Sequence, residues 1–239
     1  MAASARARLL EPMLRWPLFR RSPGLKPFAD HPEVASLQMV LPAVIVGAGA
    51  GLAAVGFRWL VTAATFVFTG TQDYSSSVGH PANPWIPWLG GAFVIVAPAI
   101  GGLLYGPLVD RFAREARGHG VPEVMYAVSK RGGRIPGKVA VVKALASAIT
   151  IGSGGSVGRE GPIVQIGSAM GSTLARLMRM PESRVRTLVA CGAAGGIAAT
   201  FNAPIAGVFF ALELLLRDFA AASFGAVMLA SITDRKSVV

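Results

Sequence analysis

The chain has 239 residues, of which 53% are hydrophobic and 15% charged, with a formal net charge of +11 and a mean hydropathy of +0.55. Soluble domains carry about 25% charged residues, so this balance excludes an ordinary water-soluble globule and makes lipid the expected main solvent. The basic excess raises nucleic acid as a partner, but the charges flank apolar runs instead of gathering on one surface, and the single cysteine, Cys191, excludes an intrachain disulfide.

Residues 1–38 read as a basic arm. Arg6, Arg8, Arg15, Arg20, Arg21 and Lys26 alternate with short apolar clusters, and Pro12, Pro17, Pro23, Pro27 and Pro32 interrupt any helix. The arm lacks the apolar core of a secretory signal. Two readings stand: an interfacial arm on the inner leaflet, or a solvated basic tail. Residues 39–232 read as a membrane domain. The run 40–68 is broken only by Arg58 and by Gly47, Gly49, Gly51 and Gly56. At ~1.5 Å per residue it exceeds a ~30 Å hydrocarbon core and is expected to tilt. The loop 70–87 carries one charged side chain, Asp73, as expected of a segment moved across the bilayer. Trp85 and Trp88 then stand as an interfacial belt before a second span at 88–104. The arm and a second basic cluster, from Arg111 to Lys143, place the N-terminus in the cytoplasm by the positive-inside pattern.

Five apolar segments follow, at 139–151, 163–178, 185–200, 205–216 and 220–232, each shorter than the ~20 residues of a full span. Short, Gly/Pro-interrupted segments point to broken helices with a site near the bilayer midplane. Gly167, Gly171, Gly192, Gly195, Gly196 and Gly207 let helices approach closely in lipid. Residues 233–239 read as a truncated tail.

The most informative stretch is Gly152-Ser-Gly-Gly-Ser-Val-Gly-Arg-Glu-Gly-Pro162, which sets Glu160 among glycines between two apolar segments. Non-helical backbone at membrane depth survives only where protein or a watery cavity surrounds it. The N–H groups at the start of the second segment make an electropositive helix end suited to an anion. A second such end is expected near Gly118 to Pro122, and the two could converge on one locus. Ionised, Glu160 would occupy the anion's place; protonated, it would yield to a halide. The plainer alternative pairs Glu160 with Arg159 at an interfacial turn. Intramembrane acids are expensive and usually functional.

Three patterns in order resemble the CLC family of chloride channels and proton-coupled chloride transporters over roughly residues 40–232. Gly118-His-Gly-Val-Pro-Glu123 is similar to that family's Gly-Ser-Gly-Ile-Pro anion loop, Gly158-Arg-Glu-Gly-Pro162 to its gating segment, and Gly192 through Gly207 to the stretch leading into its dimer-interface helices. The resemblance implies an all-α integral membrane protein with tilted, broken helices of an inverted-repeat fold, here the first repeat only. It implies anion binding by Gly118, His119, Gly120, Val121 and Pro122 together with Gly158, Arg159, Glu160, Gly161 and Pro162, with Glu160 as gate. His119 stands where the family has serine, and either donates an N–H to the anion or turns away while backbone coordinates. Glu123 reads as a partner of its own helix dipole. Glu213 is a candidate on an inner proton path, although the family's second acid falls at Leu214 here; the other reading has Glu213 satisfied by Arg217 at i+4.

The resemblance makes chloride the expected ligand, protons a second one, the bilayer a partner, and a homodimer the expected full-length form in a bacterial inner membrane. Channel and exchanger both stay open. So do a fluoride-exporting relative and a non-transporting fragment of a longer protein, since the family's second-half Gly-x-Phe-x-Pro segment is absent from this sequence. No cofactor is called for. An enzyme is disfavoured: the glycine stretch fits neither nucleotide-binding register, and His31, His80 and His119 form no metal or triad spacing.

Overall fold

The structure is a computed structural model that describes residues 32–72, 84, 86–216 and 221–237. Most of the basic arm, Asp73, Trp85, Arg217 and Asp218 lie outside the described residues, and with them the expected Glu213–Arg217 pair. Among the described residues every regular element is helical.

The apolar run at 40–68 becomes α1 (Pro32–Thr69), whose 38 residues would extend about 57 Å at ~1.5 Å each. It begins before the run itself, because proline at a first helical position already has the right φ and gives up an N–H that would lack a partner. One face of α1 buries Ala43, Val46, Ala50, Phe57 and Val61, while Leu41, Leu52 (63% exposed) and Trp59 (71%) line the opposite face. A helix that is apolar on both its inner and its outer surface suits lipid, since water would reject the outer one. From Met39 to Arg58 the helix advances nineteen steps, about 28 Å, so Arg58 and Trp59 fall where a ~30 Å core ends.

A 3₁₀ turn (Pro87–Ala92) leads into α2 (Phe93–Phe112), which runs beyond the expected end at residue 104. Pro98 and Pro107 sit inside it, and each removes one ladder donor. α1 and α2 are the two described helices long and apolar enough to cross a bilayer. After a 3₁₀ turn (Arg114–Ala116) come α3 (Val121–Lys130), α4 (Lys138–Gly152), α5 (Glu160–Leu177) and α6 (Glu182–Phe201).

α6 is longer than its apolar segment suggests. Its first turn, Glu182 to Arg184, is polar, and Arg186 donates to Glu182 one turn back, so the 20-residue helix exceeds the 185–200 count. α7 (Pro204–Phe210) continues into a π-helical turn (Ala211–Leu216), and α8 (Ala221–Ser237) ends the described chain.

α6 is the hub, packed against α1, α5, α7 and α8. Leu188, Val189, Ala190 and Cys191 are wholly buried. The α5–α6 contact is backbone to backbone: a side chain at Gly167 would overlap the Gly192 carbonyl, and one at Gly171 the Leu188 carbonyl. Without a hydrophobic force between helices in lipid, such close approach is what holds them.

Candidate functional site

The loop before α3 is shaped by two glycines. Gly118 and Gly120 have φ of +86° and +109°, a region that side chains resist. Glu123, three residues into the start of α3, accepts the Gly120 N–H at 2.8 Å, the reciprocal half of a capping box. This is the dipole-partner role expected of Glu123. It also places His119 at the tip, with its side chain exposed.

Two side chains hold this loop from behind, and neither was marked in the sequence as part of the site. Lys143 is 3% exposed and donates from Nζ to the carbonyls of Ala116 (3.2 Å) and Gly118 (2.6 Å). Because a trans peptide sets C=O and N–H on opposite sides, fixing the Gly118 carbonyl toward Lys143 turns the His119 N–H away from it. Gln165, on α5, donates from Nε2 to the Glu115 carbonyl at 2.7 Å, and its buried Oε1 has no partner. A lone lysine in Val139-Ala-Val-Val-Lys143 and a lone amide in Ile163-Val-Gln165 are polar groups in apolar helices, and that cost is the signal by which both could have been found.

The second loop is anchored to α1. A Cβ on Gly152 would stand 2.6 Å from Ala64 Cβ, so only glycine lets α4 end against that helix. The chain then turns through Gly154 and Gly155 to α5, whose first residue is Glu160. The first intrahelical bond across this end is Ile163 N–H to Arg159 O at 3.2 Å, and Pro162 has no N–H, which leaves Glu160 and Gly161 as the free donors of the helix end. The Glu160 carboxylate folds back over Gly158, where a Cβ would overlap both its oxygens. No ion pair joins Arg159 and Glu160 among the described residues. The end is exposed from Gly158 to Glu160 and buried from Gly161 onward.

The two loops meet. A Cβ on Gly120 would lie 2.5 Å from the Gly161 carbonyl and 3.3 Å from Gln165 Oε1; one on Gly161 would lie 2.9 Å from His119 Nδ1. The structure therefore brings His119 and Gly120 beside Gly161, so that the N-termini of α3 and α5 meet, with the Glu123 carboxylate at the first and the Glu160 carboxylate folded over Gly158 at the second. Glu213 and Leu214 are both exposed on the π-helical turn, which packs on α3, α6, α7 and α8.

Residues 101–234 match a family model described as voltage gated chloride channel. The chain belongs to this family. It is 32% identical over 199 residues to a putative chloride channel protein ClcB-like of Ralstonia nicotianae, covering 82% of this chain and 45% of the relative. It is 35% identical over 202 residues to the H(+)/Cl(-) exchange transporter ClcA of Cronobacter sakazakii, covering 84% and 41%. The chain thus spans less than half the length of the curated relatives it matches. Among solved structures it resembles a slow cyanobacterial Cl-/H+ antiporter (TM-score 0.65, 24% identity, 84% of this chain and 47% of that one) and a CLC-type fluoride/proton antiporter (TM-score 0.69, 23%, 87% and 48%). At that identity the likeness establishes the fold, the all-helical membrane fold of CLC proteins, which this chain adopts in part.

Proposed function

We propose that this chain supplies the chloride-binding and gating half of a CLC-type anion transport protein. The observation that carries the reading is the contact of the α3 and α5 N-termini, with the Glu160 carboxylate folded over one of them. Helix ends offer N–H donors and partial positive charge without a full counter-charge, which binds an anion weakly enough to release it. Glu160 competes for the same donors. Its protonation frees them, so one side chain couples proton and anion occupancy. Lys143 holds the Ala116 and Gly118 carbonyls, which turns the His119 N–H away from the lysine.

The basic flanks put the N-terminus and the basic segment 111–143 on the cytoplasmic side, and the bacterial relatives suggest an inner membrane. Chloride and protons are the ligands in this reading, with no further cofactor, and the full-length protein is a homodimer. Whether it is a channel or an exchanger turns on proton entry: Leu214 offers no acid, and Glu213 on the π-helical turn is the remaining candidate. A second reading, an anion-binding half that does not transport alone, is favoured by the single pair of N-termini that the chain contributes.

The test is chloride efflux from proteoliposomes with parallel pH recording, comparing the chain with Glu160→Gln. Efflux altered by the substitution with proton movement lost supports an exchanger. Efflux altered with no proton signal in either protein supports a channel. Efflux indifferent to Glu160→Gln overturns the gate, and folded protein that binds chloride without efflux supports the second reading.

A further inference from the structure

Each helix end of the junction carries its own carboxylate. At α5 the Glu160 carboxylate folds over Gly158. At α3 the Glu123 carboxylate folds over Gly118, where a Cβ would overlap its Oε1, while its Oε2 accepts the Gly120 N–H at 2.8 Å. A carboxylate offers about four acceptor sites, and Gly120 is the one donor that Glu123 takes among the described residues. Its hold on the loop is therefore a single charge-assisted bond to a neutral N–H, made by a half-buried side chain.

Glu123 also lines a cavity of about 490 Å³. Arg114, Arg131 and Arg134 reach this cavity from three places: the 3₁₀ turn before the loop, the residue that ends α3, and the segment leading to α4. None of the three forms an ion pair among the described residues, although Arg131 rests over the Tyr126 ring at 5.4 Å. The other acid on the cavity wall, Glu115, pairs with none of them. Glu123 thus borders two places that favour a carboxylate, the helix end where it sits and a basic cavity that it leaves unneutralised. Because Glu123 itself lines the cavity, exchange between the two asks for a new rotamer and not for a new backbone path.

We propose that Glu123 is a second competitor for the anion: its carboxylate holds the Gly120 N–H while the junction is empty, and yields it to an arriving anion by turning to the arginines of the cavity. The proposal rests on the anion-binding reading of the junction and extends it from one competing carboxylate to two. A carboxylate displaced from a helix end into water forfeits the partial positive charge there; unpaired guanidinium groups beside it offset that loss. A released Gly120 N–H has an internal rival acceptor, the buried Oε1 of Gln165, which lacks a partner and lies 3.3 Å from the Cβ position of Gly120. If the N–H turned there, an anion would gain nothing from the departure of Glu123.

The test is calorimetric chloride titration of the purified full chain, of Glu123→Gln, of Glu115→Gln, and of the triple change Arg114→Gln, Arg131→Gln and Arg134→Gln made alone and on top of Glu123→Gln. Glu123→Gln should bind chloride about fivefold more tightly, the upper range for a charge at an exposed helix end. Glu115→Gln removes the same charge from the same cavity wall and should leave affinity within about twofold, as screening of an exposed charge predicts. The triple change should weaken binding in the unaltered chain and have no effect on top of Glu123→Gln, since no carboxylate is then left for the arginines to receive. Unchanged or weaker binding by Glu123→Gln overturns the proposal, as do equal gains from Glu115→Gln and Glu123→Gln. So does an arginine effect of the same size in both backgrounds, which would mean that the arginines draw chloride directly. If Glu123→Gln does not fold, the triple change decides alone: affinity undiminished by it overturns the proposal. Glu160→Gln titrated alongside separates the two readings. A gain from Glu160→Gln with none from Glu123→Gln removes only the second competitor, whereas chloride bound by none of these proteins overturns the anion site and the proposal together.

Discussion

A side chain added at Gly167 would run into the Gly192 carbonyl, whereas one added at Gly56 would meet nothing within 4 Å. Both glycines sit in apolar helices of the same membrane domain, yet the first closes the α5–α6 contact and the second faces open space. The 29 glycines of the chain are therefore not one signal. In the interior they replace side-chain packing by backbone contact, which in lipid supplies the attraction that water would otherwise drive. On an outer wall, as at Gly56, they leave open space. The glycine junction at Gly120 and Gly161 belongs to the first kind.

The comparison gives opposite signs for one substitution. Gly167→Ala is expected to destabilise by about 1–3 kcal/mol, the usual cost of overpacking a rigid contact, read as a drop in the unfolding midpoint in detergent. A neutral result would mean that α5 and α6 can part by several tenths of an ångström at no cost, and the hub described for α6 would be wrong.

Lys143→Met comes next. It removes the donor to the Ala116 and Gly118 carbonyls, at a cost of about 1–3 kcal/mol, and frees the loop that those carbonyls steer. The specific readout is amide exchange: the His119 and Gly120 amides should exchange faster, while those in the middle of α6 stay protected. Uniform loss of protection would assign Lys143 a merely structural part.

The smallest effect belongs to the open wall. Gly56→Ala should leave the fold intact and stabilise it by up to about 1 kcal/mol, because alanine loses less backbone freedom than glycine in a helix and nothing there resists a methyl group. Destabilisation would show that this wall is not open.

Much of this was legible in the sequence, for reasons tied to particular residues. The run 40–68 announces α1 because length and hydropathy are local properties, and Pro162 with the glycines before it announces the start of α5 to within three residues. The convergence of Gly118–Pro122 on Gly158–Pro162 was also anticipated, from two helix ends of the same chemistry. What the sequence hid is non-local. Lys143 reaches the Gly118 carbonyl 25 residues back, and Gln165 reaches Glu115 50 residues back; no periodicity encodes either contact. Nothing in Phe209-Phe-Ala-Leu-Glu-Leu, which carries no proline or glycine, marks the π-helical turn at Ala211–Leu216. The length of α6 was underestimated because an apolar count stops at Val185, while hydrogen bonding continues back to Glu182.

The central claim is that Glu160 and an anion compete for the donors at the junction of α3 and α5. Chloride titration of the purified chain by calorimetry, with and without Glu160→Gln, tests it without requiring transport. The account predicts that Glu160→Gln binds chloride several-fold more tightly, because a neutral amide no longer competes for the N–H groups of a helix end. Equal affinity in the two proteins, or binding lost in the variant, would contradict it.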